Sequence, residues 1–158
     1  MNDLTFRAAT RADIPLIIDF RLEQLSRGGT VFVPDITAAL TAFFEDCFDR
    51  DVIHQIFAFD GDRAVATGAV LFYAYPPSHV NRSGLIAYIS NMFTKPDCRR
   101  QGIASRILTM LEDEARRRGV QTAKLGATPA GKSLYEHAGY AEDELFTLIK
   151  PLEAPRAL

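Results

Sequence analysis

The sequence predicts an α/β fold, a mixed sheet with helices on both faces. Three observations predict it. Short β-favouring runs alternate with amphipathic runs of helical period along the 158 residues. A tight Asp60-Gly61-Asp62 turn joins two β-favouring runs as a hairpin, so part of the sheet is antiparallel. The apolar run Leu85-Ile86-Ala87-Tyr88-Ile89 leads into a basic, glycine-containing turn and then a long amphipathic stretch, the order strand, turn, helix.

The elements follow in order. Leu4 to Arg7 alternates and reads as a short strand. Asp13 is the expected cap of a first helix, with Pro15 in its first turn and Ile14, Ile17, Ile18, Leu22 and Leu25 as its apolar stripe. Gly28-Gly29 ends that helix. Asp35 is the expected cap of a second helix, whose core face is Ile36, Ala39, Leu40, Phe43 and Cys47. Val52 to Phe59 and Arg63 to Tyr75 form the hairpin, and Pro76 to Gly84 is a polar loop. Gly84 to Thr94 is a strand, Ile103 to Arg118 a helix closed by Gly119, and Thr122 to Ala127 a strand. Pro129 opens a short helix through His137, Gly139 ends it, and Tyr140 to Ile149 is a last strand.

Length and composition bound the answer. A chain of 158 residues with 47 % apolar residues is sized for one domain, expected over residues 1–152, with a tail at 153–158. A net charge of −2 supplies no global field for nucleic acid or membrane, so neither is expected as a partner. Cys47 and Cys98 form no disulfide framework and no zinc spacing, so no metal and a reduced, cytoplasmic setting are expected. No apolar run approaches the roughly 20 residues that span a bilayer, and the N-terminus lacks a basic segment with an apolar signal core. A homodimer is the commonest oligomeric default.

The turn Lys95-Pro96-Asp97-Cys98-Arg99-Arg100-Gln101-Gly102-Ile103-Ala104 is where the chemistry concentrates. The first turn of a helix has N–H groups without intrahelical partners, and a pyrophosphate could accept from them. Gly102 lets a ligand oxygen approach the backbone, Ala104 is nearly as small, and Arg99, Arg100 and Lys95 add fixed positive charge. Taken alone, the same residues also describe a solvated basic loop that starts a helix. The turn is neither a P-loop nor a dinucleotide fingerprint, because the required Gly-Lys-Ser/Thr and three-glycine patterns are absent.

Arg99-Arg100-Gln101-Gly102-Ile103-Ala104 resembles the Arg/Gln-x-x-Gly-x-Gly/Ala signature of the GNAT (general control-related N-acetyltransferase) superfamily. Downstream, Gly131-Lys132-Ser133-Leu134-Tyr135-Glu136-His137-Ala138-Gly139-Tyr140 resembles that family's second block, a helix carrying Leu-Tyr-Glu and ending at Gly-Phe/Tyr. The specific part of the resemblance runs from Ile89 to Tyr140. It implies a central, mostly antiparallel sheet in which the strand ending at Met92–Phe93 splays from the strand at Lys124–Leu125. It also implies acetyl-CoA as co-substrate in that gap.

The resemblance carries roles onto particular residues. A backbone N–H at Met92 or Phe93 would be the oxyanion donor, and Met92, Phe93 and Thr94 would pair with the cofactor like an added strand. Asn91 interrupts the apolar run there, as a bulge that opens the strand or simply as the strand's end. Arg99, Arg100, Gln101, Gly102, Ile103 and Ala104 would cradle the pyrophosphate. Thr128 stands where many members have a cofactor-binding Asn, and Lys132 lies at the start of the tyrosine helix. Tyr135 matches the tyrosine placed near the cofactor sulfur. It would protonate the leaving thiolate, the alternative being a rim tyrosine packed by its ring. Glu23 on the first helix is the candidate base, the alternative being a solvated surface carboxylate.

The expected function is therefore acetyl transfer from acetyl-CoA to a primary amine, small molecule or peptide, by direct attack in a ternary complex. Two alternatives stand beside it. One is a CoA-binding sensor or interaction module with little catalysis, because no residue is a compelling base. The other is an acyltransferase using another acyl donor or a hydroxyl acceptor. The loops Arg27 to Pro34 and Pro76 to Gly84, with Arg27, Arg82 and His79, would wall the acceptor and point weakly to one bearing a carboxylate.

Overall fold

The computed structural model describes residues 4–26, 35–143 and 150. The chain falls into two compact units, Met1–Gly126 and Ala127–Leu158. In the first unit the order is β1 (Thr5–Ala8), α1 (Ile14–Ser26), α2 (Thr37–Asp49), β2 (Ile53–Asp60), β3 (Arg63–Ala74), β4 (Leu85–Thr94), α3 (Ile103–Arg117) and β5 (Ala123–Leu125). The strands form one sheet in the order β1-β2-β3-β4-β5. Neighbours are antiparallel up to β4, and β4 pairs with β5 in parallel. The crossover helix α3 makes that parallel pairing possible, since parallel neighbours cannot be joined by a tight turn.

Period two sorts each strand into two faces. Ile53, Phe57 and Ala69 face α1 and α2, where they pack with Ile14, Ile17, Ile18, Phe20, Phe44 and Cys47. The opposite face receives α3, whose Ile103, Ile107, Leu108, Leu111 and Ala115 are buried. Gly68 of β3 lies beneath α3, and a Cβ there would come within 2.7 Å of Ile107. The expected helices on both faces and mixed sheet are therefore present.

Several boundaries differ from expectation. Asp13 is not the cap of α1. A 3-10 turn, Arg11–Asp13, precedes that helix. The Asp13 carboxylate reaches back to accept from the Thr10 N–H at 2.8 Å and the Thr10 hydroxyl at 3.0 Å. Arg7 then grips both of its oxygens at 2.8 Å. Asp35 does serve the start of α2, accepting from the Thr37 N–H at 2.9 Å. On α2, Phe44 and Cys47 face the core while Phe43 is 48 % exposed. The spacing Leu40, Phe44, Cys47 lines up against the sheet, and Phe43 falls one position off it.

β5 is shorter than the run Thr122 to Ala127 suggested. In the second unit, α4 spans Lys132–His137 and does not begin at Pro129. A turn precedes it, with the Gly131 N–H bonded to the Thr128 carbonyl at 3.0 Å. Residues 140–143 are not strand, and 144–149 lie outside the described residues, as do the loop Arg27 to Pro34 and the tail Glu153 to Leu158. Among the described residues no helix is long and apolar enough to cross a membrane, and no cluster of His, Cys, Asp or Glu could hold a metal.

Candidate active site

The centre of the first unit is a break in β4. Asn91 has φ of +53°, a left-handed conformation that asparagine tolerates better than most residues. Gly68 faces both Asn91 and Met92, between the pairs Ala69↔Ser90 and Thr67↔Phe93. This is the bulge that the polar interruption at Asn91 allowed for. Pairing with β5 stops just before it, at Ile89↔Leu125. Strand β4 continues to Thr94, and among the described residues no strand pairs with its β5-side edge there.

Backbone alternation separates Met92 from Phe93. The Lys95 N–H donates to the Val65 carbonyl at 2.8 Å. Phe93, two residues earlier and opposite Thr67, has the same orientation, so its N–H faces β3. The Met92 carbonyl, across the same peptide, points the other way and accepts from Gln24 Nε2 at 3.2 Å. The N–H of an extended residue shares a side with its own carbonyl, so the Met92 N–H also faces away from β3.

The glycine turn follows. Pro96–Cys98 is a 3-10 turn, and Arg63 ties it to β3 by holding Asp97 at 2.7 Å. Arg99 Nε donates to the Thr94 carbonyl at 3.2 Å. Arg100 and Gly102 have φ of +58° and +76°. Gly102 is the N-cap of α3 without a side-chain hydrogen bond to the first turn. Apart from its chain neighbours and its own helix, nothing among the described residues lies within 4 Å of where its Cβ would sit. The backbone donors of Ile103 and Ala104 thus start a fifteen-residue helix beside open space, with Arg99, Arg100 and Gln101 exposed around it. An uncapped, positively flanked helix start suits a phosphate-bearing ligand.

The last turns of α1 close on β4 from the opposite face. Glu23 forms an ion pair with Lys95. The Lys95 ammonium also lies 4.8 Å from the Phe20 ring centroid, and Phe20 meets Phe93 edge-on at 6.0 Å. Arg21 Nη1 donates to Gln24 Oε1 at 2.7 Å, which turns the Gln24 amide toward Met92. Leu16, Asp19, Phe20, Glu23, Arg63, Lys95 and Asp97 line an open groove of about 530 Å³.

The second unit holds Thr128, Lys132 and Tyr135. Tyr135 is 9 % exposed and meets Tyr140 edge-on at 6.0 Å. Burial pushes its phenol pKa up, so it is protonated at neutral pH. The Thr128 hydroxyl accepts from the Gly131 N–H at 3.3 Å. Lys132 is exposed and bonded to Glu142 at 2.5 Å.

The first unit brings together, on one strand and one turn, Asn91, Met92, Phe93, Thr94 and Arg99 to Ala104. It adds Gln24, Arg21 and Gly68, which the sequence reading did not select as site residues, and it pairs Lys95, expected as charge in the turn, with Glu23. Only Gly68 carried a local signal, since a glycine inside a strand pattern marks a close approach. The Gln24–Met92 bond spans 68 residues and leaves no local trace.

The acetyltransferase (GNAT) domain family matches residues 53–142, and the chain belongs to that family. No curated protein sequence matches it. Among solved structures, it is similar to a predicted acetyltransferase from Clostridium acetobutylicum, solved with acetyl-CoA. That pair shares 29 % identity over 94 % of this chain and 96 % of the other, with a TM-score of 0.89. A GCN5-related N-acetyltransferase from Ralstonia eutropha shares the fold at 22 % identity, over 95 % of this chain and 99 % of that one, TM-score 0.80. So does a glucosamine-6-phosphate N-acetyltransferase from Arabidopsis thaliana, at 17 % identity, 96 % and 100 % coverage and TM-score 0.70.

Proposed function

We propose that this protein transfers the acetyl group of acetyl-CoA to a primary amine by direct attack in a ternary complex. The observation that carries the reading is the uncapped start of α3 at Gly102, left-handed, open where a Cβ would be and flanked by arginines. The similar Clostridium acetobutylicum structure holds acetyl-CoA, which supports the choice of donor. The N-acetyltransferase names of the two more distant structures support an amine acceptor.

Bound acetyl-CoA supplies an activated acetyl group; the chain does the rest. The first-turn N–H groups of α3, with Arg99, Arg100 and Gln101, hold the pyrophosphate. The β5-side edge of β4, from Met92 to Thr94, pairs with the amide groups of the cofactor arm. The Met92 N–H, not that of Phe93, donates to the carbonyl oxygen on which negative charge develops. Thr128 and Lys132 contact the cofactor, and the protonated Tyr135 phenol gives its proton to the departing sulfur. Glu23 is the base candidate beside the groove, and its ion pair with Lys95 must loosen for it to take a proton.

Calorimetric titration of acetyl-CoA into the wild type and Gly102→Glu tests the donor site, and release of CoA thiol with an amine panel tests the reaction. Micromolar binding that collapses in the variant, with turnover by the wild type, is expected. A Cβ at this position meets no described neighbour, but the new residue would be strained at φ +76° and its carboxylate would repel the pyrophosphate. Equal binding by both proteins would remove the turn as phosphate cradle. Tight binding without turnover of any amine would replace the transferase reading with that of a CoA-binding module.

A further inference from the structure

We infer that Gln24 is a positioning residue for acyl transfer, a latch from α1 that fixes the orientation of the Met92–Phe93 peptide. The inference rests on the reading of the Met92 N–H as the donor to the reacting carbonyl.

Regular strand residues have their peptide planes fixed by ladder bonds on both sides. At the bulge this support lapses, because Asn91 and Met92 together face the single residue Gly68 and pairing with β5 has already stopped. A backbone carbonyl in such a position needs another partner. Gln24 supplies one, its Nε2 donating to the Met92 carbonyl at 3.2 Å. The amide cannot turn freely, because Arg21, three residues earlier on the same helix face, donates to its Oε1 at 2.7 Å. That bond fixes which end of the amide points at β4.

The other support comes from the opposite face. The Met92 side chain lies over Gly68, where a Cβ would come 2.3 Å from its Sδ. Met92 is thus held by α1 at its carbonyl and by the surface beneath α3 at its side chain. The neighbouring contacts of α1, Phe20 on Phe93 and Glu23 on Lys95, keep the helix end against β4. If Gln24 lets go, the Met92 carbonyl loses its partner and the residue's dihedrals can relax. A backbone donor that must meet developing charge without reorganising tolerates little such drift.

Gln24→Leu removes the donor at similar volume. Gln24→Glu keeps a partner for Arg21 but sets an acceptor against the Met92 carbonyl. Three readouts separate a latch from a general structural role: kcat and KM for acetyl-CoA, calorimetric affinity for acetyl-CoA, and the Met92 carbonyl and Phe93 amide resonances in labelled protein. The latch predicts a kcat lower by about tenfold or more in both variants, below the full loss of an oxyanion donor. It predicts acetyl-CoA KM and affinity within about twofold of wild type, and shifts at Met92 and Phe93 but not at core residues such as Phe57. Arg21→Ala, which frees the amide without deleting it, should lower kcat in the same direction by less, and serves if Gln24→Leu does not fold. Unmoved Met92 and Phe93 resonances, or kcat within about twofold of wild type in both Gln24 variants, overturn the inference. A wild type that binds acetyl-CoA but acetylates no amine defeats the transferase reading alone, and the resonances then decide the latch.

Discussion

Burial holds the Tyr135 phenol protonated, the state in which it can give a proton to a departing thiolate. The ring packs against Tyr140 within the second unit, so removing the hydroxyl leaves most of the contact area in place. Tyr135→Phe should therefore retain acetyl-CoA affinity and thermal stability while kcat falls. The expected drop is about tenfold at neutral pH, below the usual range for a positioned proton donor, because a CoA thiolate is a tolerable leaving group. Steady-state kinetics with the best amine checks this. An unchanged kcat would return Tyr135 to the role of a rim tyrosine held by its ring. Gln55 makes the contrasting case of a polar group with no chemistry attached. It is buried, donates to Thr67 at 2.8 Å, and its Oε1 has no partner among the described residues.

Gly68 shows how one strand position serves two elements. A Cβ there would meet Met92 Sδ at 2.3 Å and Ile107 at 2.7 Å, so Gly68→Ala must push Met92, α3 or both. The expected cost is about 1–3 kcal/mol of unfolding free energy by urea titration, with a loss of turnover larger than that of stability-matched core variants. Elements of this kind differ in how plainly the sequence writes them. Helix α3 was legible nearly to the residue, because its apolar stripe is strong and glycines with positive φ stand at both ends, Gly102 and Gly119. The β2–β3 hairpin was legible from Asp60-Gly61-Asp62, while the polar Asn91 in an apolar run left a bulge and a strand end as equal readings, and pairing with β3 beyond it decides for the bulge. Less was legible where two local choices compete. Phe43 and Phe44 are adjacent, and only the sheet decides which one is buried. Asp13 looks like a cap from its neighbours, whereas Arg7 and Thr10 recruit it as the last residue of a capping box that Thr10 begins. In the site, the glycine turn, Lys95 included, and β4 were legible as local motifs, while the Gln24–Met92 and Lys95–Glu23 contacts join residues far apart in sequence and left no local pattern.

At the scale of the first unit, the end of α3 is tied to the turn before β2 through one mostly buried carboxylate. Glu114 is 9 % exposed and accepts from Arg117 twice and from Arg118 once, each at 2.7 Å. Arg118 passes the connection on to the Asp51 carbonyl at 2.6 Å and carboxylate at 2.9 Å, just before β2, and lies over the Phe72 ring at 4.4 Å. The Arg117 hydrogen bonds, opposed by burial and aided by Arg118, hold the Glu114 carboxyl down at about 2. An unfolded glutamate titrates near 4.3, so the folded form binds its proton less readily than the unfolded one. The stabilisation from Glu114 is therefore complete above about pH 5 and is lost as pH falls through about 4.3 toward about 2. Asp13, held down chiefly by its hydrogen bonds to Arg7, loses its contribution in the same direction. Glu114→Gln should lower stability at pH 7 by about 1.5–3 kcal/mol, the range for hydrogen bonds to charged groups. It should also flatten the acid limb of stability against pH, leaving the residual slope to Asp13 and other carboxylates. Urea unfolding at pH 7, 5, 4 and 3 distinguishes the cases. A gap between wild type and Glu114→Gln that narrows below pH 4.3 is expected, and a gap independent of pH would mean that Glu114 acts by packing rather than charge. Because the Arg118 bridge lies at the opposite end of α3 from Gly102, the variant should leave acetyl-CoA affinity unchanged wherever the protein remains folded.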